Sequence, residues 1–262
     1  MAVKGCIGQA PTVVLVEPLR SPSSRLPAPS VKLVVADDIR RLFETAQRVR
    51  AALRDEPSYH PLRGRHLALL MACEPDARSA LLQAAAVQLG ARVALVRYAH
   101  AEHTTARDLE TLAKHLGRMY DAIDCLSLPR PALRQIGLHA GVPVTDGLGS
   151  AHHQLCALAD LMTLLEQAVS SHSHVTACLD GNRRTRRARY FVAAARSMGV
   201  DILSSNDVQP EACNEVAFLI DARHPDWPLH ATTQTLDEAR RADNHFRLIQ
   251  AVLLVQMTML RD

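Results

Sequence analysis

The 262-residue sequence has few aromatic side chains, no long apolar run and little excess of either charge. Aromatic residues make up 3% of the chain, and 30 basic residues face 27 acidic ones. Proteins that bind nucleic acid typically combine a basic face with aromatic stacking residues, so that class is not indicated. No apolar stretch approaches the roughly 20 residues that a membrane helix needs. The composition therefore predicts a packed protein with neither a membrane span nor a nucleic-acid partner.

Cysteines at metal-binding or redox spacing are also absent. The six cysteines lie far apart without a Cys-x-x-Cys motif, and the first residues offer no convincing signal-cleavage site. We therefore expect reduced thiols, no disulfide and a cytoplasmic location. The histidine clusters lack a third and fourth ligand at recognisable spacing, so no metal is predicted. Because the chain has no G-x-G-x-x-G and no P-loop motif, no cofactor is predicted either.

Beyond a proline- and serine-rich arm over residues 1–30, the sequence alternates predicted strands with predicted helices. The strands are 66–72, 92–97, 121–126, 142–145, 174–180, 200–204 and 215–221. The helices begin at Asp37 and continue with 76–89, 105–117, 131–140, 154–169, 184–198 and 236–260. Strands alternating with helices of ten or more residues require parallel sheets covered on both faces. Two such blocks joined by helix 154–169 predict an α/β fold of two doubly wound parallel-sheet domains.

Ligands of such sheets bind beyond the carboxyl ends of the strands, so the residues that follow each strand are candidate site residues. Residues 76–79 open a helix whose free amides favour an anion, yet the acids Glu74 and Asp76 favour a simple helix cap. His152 and His153 lie at a strand-to-helix turn, where a surface cap, a histidine that polarises a carbonyl, and a metal ligand all remain open.

Five arginines crowd the start of a helix after Gly181. They could grip a carboxylate or a phosphate through forked hydrogen bonds. Five guanidinium groups within seven residues nevertheless spread around the whole helix, which favours a solvated face. The residues are Arg183, Arg184, Arg186, Arg187 and Arg189.

Three segments resemble ornithine carbamoyltransferases and, more distantly, aspartate carbamoyltransferases: LETLAKHLGRMYDAI, HAGVPVTDGL and HQLCALADLMTLLEQ. The resemblance extends from about Lys32 to Gly199, with a weaker echo in LDEARRADNHFRLIQAVLL near the end. It implies a homotrimer of chains with two lobes and a cleft between them. Residues 31–165 would form a carbamoyl-phosphate-binding-like domain, with helix 236–262 packing back on it, and 166–235 a reduced amino-acid-binding-like domain.

The resemblance also implies an altered phosphate site. The family's Ser-Thr-Arg-Thr-Arg loop aligns with PDARS at 75–79, so both loop arginines are displaced. Arg78 and Ser79 remain as candidate substrate contacts. A further family arginine corresponds to Leu126, which cannot donate a hydrogen bond.

The family's His-Pro-x-Gln motif holds the carbamoyl group and aligns with HQLC at 153–156. His153 is therefore the candidate catalytic residue, and Cys156 stands where the family has glutamine. Only His153 carries over from the motif, and Cys156 is a candidate substrate contact by its aligned position alone.

The second lobe departs further from the family pattern. The Asp-Ala-Arg-Asn-Asn stretch, which receives the amino-acid substrate, aligns with residues 182–186, where Arg183 and Arg184 are candidate substrate contacts. The family's Glu-Asn-Arg becomes Asp-Asn-His, which ends at the candidate His245. Between Val208 and Leu236 the segment carrying the ornithine-binding loop is missing.

These losses predict a protein that no longer performs standard carbamoyl transfer. Two or three lost arginine contacts, at roughly 1.5–3 kcal/mol each, cost on the order of 5 kcal/mol. We therefore expect a non-catalytic binding, regulatory or scaffold subunit that takes a small anionic or amino-acid ligand or a protein partner. The alternative is an active carbamoyltransferase of amino-acid metabolism with an altered donor or acceptor. In it, His153 would polarise the carbonyl, and Arg78, Arg183, Arg184 and Arg186 would contact anions.

Overall fold

The computed structural model describes residues 36–98, 105–126, 128–150, 153–168, 175–204, 218–223, 227, 229–231 and 237–258. The predicted arm over residues 1–30 and the candidate His152 lie outside these residues. The described residues form two four-stranded sheets with helices packed against them. The predicted α/β fold with two doubly wound sheets is confirmed, apart from one antiparallel strand.

The first sheet is parallel throughout, with strand order β2-β1-β3-β4. Its elements are α1 Ala36–Asp55, β1 His66–Met71, α2 Ala77–Gln88, β2 Arg92–Arg97, α3 Ala106–Met119, β3 Ala122–Leu126, α4 Arg130–His139 and β4 Val144–Thr145. At its centre, Leu69 of β1 pairs with Leu95 of β2 and with Asp124 of β3. Strands β1 and β3 are almost wholly buried because helices cover both faces, which explains their continuous apolar sequence.

The second sheet has strand order β6-β5-β7-β8. Its part of the chain comprises α5 Gln154–Ala168, β5 Thr176–Asp180, α6 Arg186–Ser197, β6 Asp201–Ser204, β7 Phe218–Asp221, β8 Leu229–Ala231 and α7 Glu238–Thr258. Strand β8 pairs antiparallel with β7, whereas the sequence predicted parallel strands alone. The prediction missed β8 because three residues, Leu-His-Ala, carry no readable apolar pattern.

Helix α7 returns to the first sheet and packs against α1, α2 and α5. Polar contacts fix this return: the Asn244 amide donates to the Thr163 hydroxyl at 2.9 Å and to Glu166 at 3.0 Å. Arg50 of α1 pairs with Asp243 at 2.9 Å and with Glu166 at 3.4 Å. The domain bounds that the sequence predicts, 31–165 and 166–235, stay a prediction.

Helix α5 is buried along most of its length because α6 and α7 both pack on it. Its buried residues include two polar side chains, Asp160 and Thr163, each fully shielded from solvent. Among the helices that the structure describes, none is both long enough and apolar enough to cross a membrane.

The expectation of reduced thiols throughout was wrong. Cys178, a buried residue of β5, is disulfide-bonded, while Cys73, Cys125 and Cys156 are free. Wide spacing in sequence misled the prediction because a fold can join distant cysteines. The cytoplasmic location stays a prediction, and the disulfide removes the thiol argument that supported it.

Helices α3 and α4 approach closely at Gly117, and this contact generates a test of the packing. A Cβ atom at position 117 would lie 1.7 Å from the backbone oxygen of Ala140. We expect Gly117→Ala to lower the free energy of unfolding by about 1–3 kcal/mol, the usual cost of overpacking. Within a helix the same change ordinarily stabilises by up to about 1 kcal/mol.

Urea unfolding followed by circular dichroism measures this effect. Thr111→Ala, at an exposed position of the same helix, is the matched control and should change stability little. A more stable Gly117→Ala variant would show that α3 and α4 have room to separate.

Candidate functional site

The strand order places one crevice in each sheet. In the first sheet, β2 and β3 lie on opposite sides of β1. The connection from β1 to β2 and the connection from β3 to β4 therefore leave the carboxyl end of the sheet in opposite directions. In the second sheet the corresponding point lies between β5 and β7. Ligands of open α/β sheets bind at such points, so the loops that follow these four strands form the candidate site.

The amino end of α2, after β1, is occupied by the chain's own carboxylate. The Asp76 side chain accepts hydrogen bonds from the amides of Arg78 at 3.0 Å and Ser79 at 3.1 Å. The Ser79 hydroxyl lies 2.8 Å from the Asp76 amide and completes a capping box. Asp76 thus takes the amide donors that would otherwise receive an anion.

The same carboxylate also holds Arg78. The Arg78 Nε atom donates to Asp76 Oδ2 at 2.6 Å, and Nη2 lies 2.5 Å from the same oxygen. The hydrogen bond from Arg78, assisted by the Ser79 amide, lowers the pKa of Asp76. Asp76 is therefore ionised at neutral pH, and its charge offsets that of Arg78.

The loop that follows β4 closes over this helix end. A Cβ at Gly149 would lie 2.4 Å from the backbone oxygen of Arg78, and a Cβ at Gly147 would lie 3.6 Å from the Leu126 side chain. Leu126 itself is only 4% exposed and belongs to the same core cluster as Leu148. Apolar packing therefore fills the position where the family resemblance implies an arginine.

The Asp124 carboxylate, within β3, holds the loop that follows β4 through hydrogen bonds. Its Oδ2 atom accepts from the Thr145 hydroxyl at 2.6 Å and from the Leu148 amide at 2.9 Å. Burial raises its pKa to about 6, although both hydrogen bonds oppose the shift. Sequence reasoning missed this residue, whose one signal is a single acid inside the apolar strand AIDCL.

His153 immediately precedes α5 and is 8% exposed. The Leu155 amide donates to His153 Nδ1 at 3.2 Å, so the neutral ring carries its proton on Nε2. Burial lowers the pKa of His153 to about 3, with smaller contributions from Arg186 and His245. The ring is thus a neutral hydrogen-bond donor, which is the form that can polarise a carbonyl.

His245 of α7 lies beside Cys156 of α5. The distance from Cys156 Sγ to His245 Nδ1 is 3.9 Å. Burial lowers the pKa of His245 to about 4 and raises that of the Cys156 thiol to about 11. Both groups are therefore neutral at pH 7, and Cys156 is not an activated nucleophile.

The arginines at the start of α6 separate into different roles. Arg184 is exposed, and its amide binds the Asn182 side chain at 2.9 Å. Arg186 Nη1 reaches Asp146 Oδ2, after β4, at 3.4 Å. Arg187 is only 7% exposed, so it is an exception to the solvated face predicted for most of this cluster.

Arg187 is buried because a fully buried carboxylate on α5 neutralises it. Its Nε and Nη2 atoms donate to Asp160 Oδ2 at 3.0 and 2.8 Å, and Arg241 Nε donates to Asp160 Oδ1 at 2.7 Å. The guanidinium also lies 4.8 Å from the centre of the Trp227 ring. Sequence reasoning missed Asp160, although a lone acid in the apolar helix LCALADLMTLL was a usable signal.

The structure thus divides the predicted site residues into groups. His153, Cys156 and His245 lie together at the junction of α5 and α7, with Arg186 close to His153. Arg78 and Ser79 lie at the end of α2 and bond to Asp76. Arg183 and Arg184 lie in the loop before α6. Within the described residues, no group of three or more His, Cys, Asp or Glu side chains could hold a metal ion.

Comparison with known proteins adds a family match over half of the chain. The model of the aspartate/ornithine carbamoyltransferase carbamoyl-P binding domain matches residues 29–166. The catabolic ornithine carbamoyltransferase of Clostridium perfringens strain 13 is 27% identical over 167 residues, covering 64% of this chain and 50% of that protein. The chain therefore spans about half the length of the curated relatives it matches.

Solved structures with the same fold cover more of the chain. Ornithine carbamoyltransferase from Burkholderia thailandensis superposes with a TM-score of 0.63 at 17% identity, covering 85% of this chain and 95% of that one. The catalytic subunit of M. jannaschii aspartate transcarbamoylase gives 0.62 at 14% identity, covering 88% and 98%. At these identities the likeness shows the fold alone.

The two buried imidazoles predict a loss of stability in acid. Their pKa values, about 3 and 4, lie below the usual 6.5, so below pH 6.5 the unfolded chain binds protons that the folded chain does not. Between about pH 6 and 4.5, His245→Gln should therefore reduce the slope of unfolding free energy against pH by about 1.4 kcal/mol per pH unit.

Denaturant unfolding at a series of pH values gives this slope. Exposed His115 offers the control His115→Gln, which should leave the slope unchanged.

Asp124 acts in the opposite direction, because its raised pKa lets the folded chain take up a proton between about pH 6 and 4. Asp124→Asn should therefore steepen the acid loss, and a flatter profile would contradict the assignment.

Proposed function

The chain belongs to the aspartate/ornithine carbamoyltransferase family, and from that membership we propose that it is a non-catalytic member with an eroded carbamoyl-phosphate site. It acts as a binding, regulatory or scaffold subunit. Its ligand is a small anion or an amino acid, or its partner is another protein. The observation that carries this proposal is the occupation of the amino end of α2 by Asp76.

Three features at one place support the loss of phosphate binding. The Asp76 carboxylate takes two amide donors of the helix end and offsets the charge of Arg78. An arriving phosphate would meet this fixed negative charge at the point where helix ends ordinarily attract anions. Leu126, which ends the neighbouring strand β3 and is buried against the loop after β4, supplies no hydrogen-bond donor. The residues that remain cannot hold a phosphate dianion in the usual manner of this family.

Calorimetric titration with carbamoyl phosphate, and with inorganic phosphate as the reference anion, tests the proposal. We expect no binding heat from the unaltered protein at millimolar ligand. Asp76→Asn should create measurable phosphate binding, because asparagine still caps the helix while the negative charge is removed and Arg78 is released.

Glu74→Gln is the matched control. It removes one negative charge from the same loop, where Glu74 pairs with Arg97 at 2.8 Å, but leaves Asp76 and Arg78 in contact. It should therefore remain without phosphate binding. Micromolar affinity of the unaltered protein for carbamoyl phosphate would overturn the proposal.

A second candidate function is an active carbamoyltransferase with an altered donor or acceptor. The observation in its favour is the neutral His153 ring with its proton on Nε2, close to Arg186. This function requires a carbamoylated product, detected by mass spectrometry after incubation with carbamoyl phosphate and candidate amino acids. Product that disappears in His153→Ala would replace the non-catalytic proposal, and its absence would support that proposal.

The family resemblance also leads us to propose a homotrimer. Sedimentation equilibrium should then give about three times the 28.7 kDa mass of one chain. A mass of one chain at micromolar concentration would contradict the trimer and leave the proposal about the phosphate site unchanged.

A further inference from the structure

Three helices that belong to different parts of the molecule meet at Asp160. The residue lies on α5; Arg187 comes from α6, which packs on β6 of the second sheet, and Arg241 comes from α7, which packs on α1 and α2 of the first. Asp160 is completely buried, and both of its oxygens accept hydrogen bonds. One carboxylate therefore links the helices of both sheets.

The positive charges of Arg187 and Arg241 have their partners only in this arrangement. Two guanidinium groups exceed one carboxylate by one positive charge, so further partners are needed. The Arg187 guanidinium lies 4.8 Å from the centre of the Trp227 ring, and Arg241 Nη1 lies 3.1 Å from Glu238 Oε1. Moving α6 relative to α5 would separate Arg187 from Asp160 and leave charges buried without a partner, which is strongly unfavourable.

The preceding residue of α6 makes a second link at the rim. Arg186 reaches Asp146, which follows β4 of the first sheet, at 3.4 Å, and both side chains are about one-third exposed. Its guanidinium also lies 5.7 Å from the centre of the Tyr190 ring. Two consecutive arginines thus connect the second sheet to the rest of the molecule, one through the buried helices and one across the surface.

We propose that the Arg187–Asp160–Arg241 triad, supported by the Arg186–Asp146 pair, locks the two sheet lobes in one relative orientation that a ligand does not change. The lock follows from the buried charges and does not depend on whether the phosphate site binds anything. A locked chain presents one fixed surface, and no ligand can drive its lobes to open or close.

Pulsed electron paramagnetic resonance between the lobes tests the lock. Spin labels on unnatural ketone side chains at the exposed positions 83 of α2 and 196 of α6 leave every cysteine intact. Dilution with excess unlabelled protein restricts the signal to distances within one chain. The wild-type protein should give one narrow distance distribution that millimolar carbamoyl phosphate or phosphate does not shift.

Arg187→Gln breaks the triad yet leaves Asp160 paired with Arg241, and it should broaden the distribution. Arg189→Gln, at an exposed position of the same helix, is the matched control and should leave it narrow. Two populations in the wild type, a shift on adding ligand, or an unchanged width in Arg187→Gln would each overturn the proposal. Should Arg187→Gln not fold, the width of the wild-type distribution still decides the question, because two populations would contradict the lock.

Discussion

A carboxylate without access to water can remain ionised only where cations surround it, and Asp160 imposes this condition on three helices at once. Arg187 and Arg241 must both approach the same carboxylate, so α6 and α7 must both pack against α5. The rest of the α5 surface can then be apolar, because its neighbours cover it on every side. The buried imidazole of His245 follows from the same packing, since it lies one helical turn beyond Arg241 and faces Cys156 one turn before Asp160.

The candidate site illustrates how a binding crevice can be filled without changing the fold. The amino end of α2 still has free backbone amides that could bind an anion, but the side chain of Asp76 accepts their hydrogen bonds. At the end of the neighbouring strand β3, the apolar side chain of Leu126 packs against the loop around Gly147. The parallel strands and their order are unaffected, because these changes lie beyond the strand ends, where side chains are not needed for sheet pairing.

Local patterns in the sequence were sufficient for most of the helices and strands and for the capping role of Asp76, because each depends on neighbouring residues. The capping box, for example, needs only Asp76 and Ser79. Long-range pairing was beyond such patterns: burial of Arg187 depends on Asp160, which lies 27 positions earlier. The disulfide at Cys178 and the antiparallel strand β8 likewise depend on contacts that no local spacing records. The roles of His153, Cys156 and His245 stay predictions.

Trp227 is the only tryptophan in the chain. It is 4% exposed, lies under the Arg187 guanidinium, and contacts the edge of Phe191 with 5.9 Å between ring centres. All of the intrinsic indole fluorescence of this protein therefore originates beside the buried charge triad. The molecule carries its own optical reporter of that junction, and its emission spectrum can follow the state of the junction without any label.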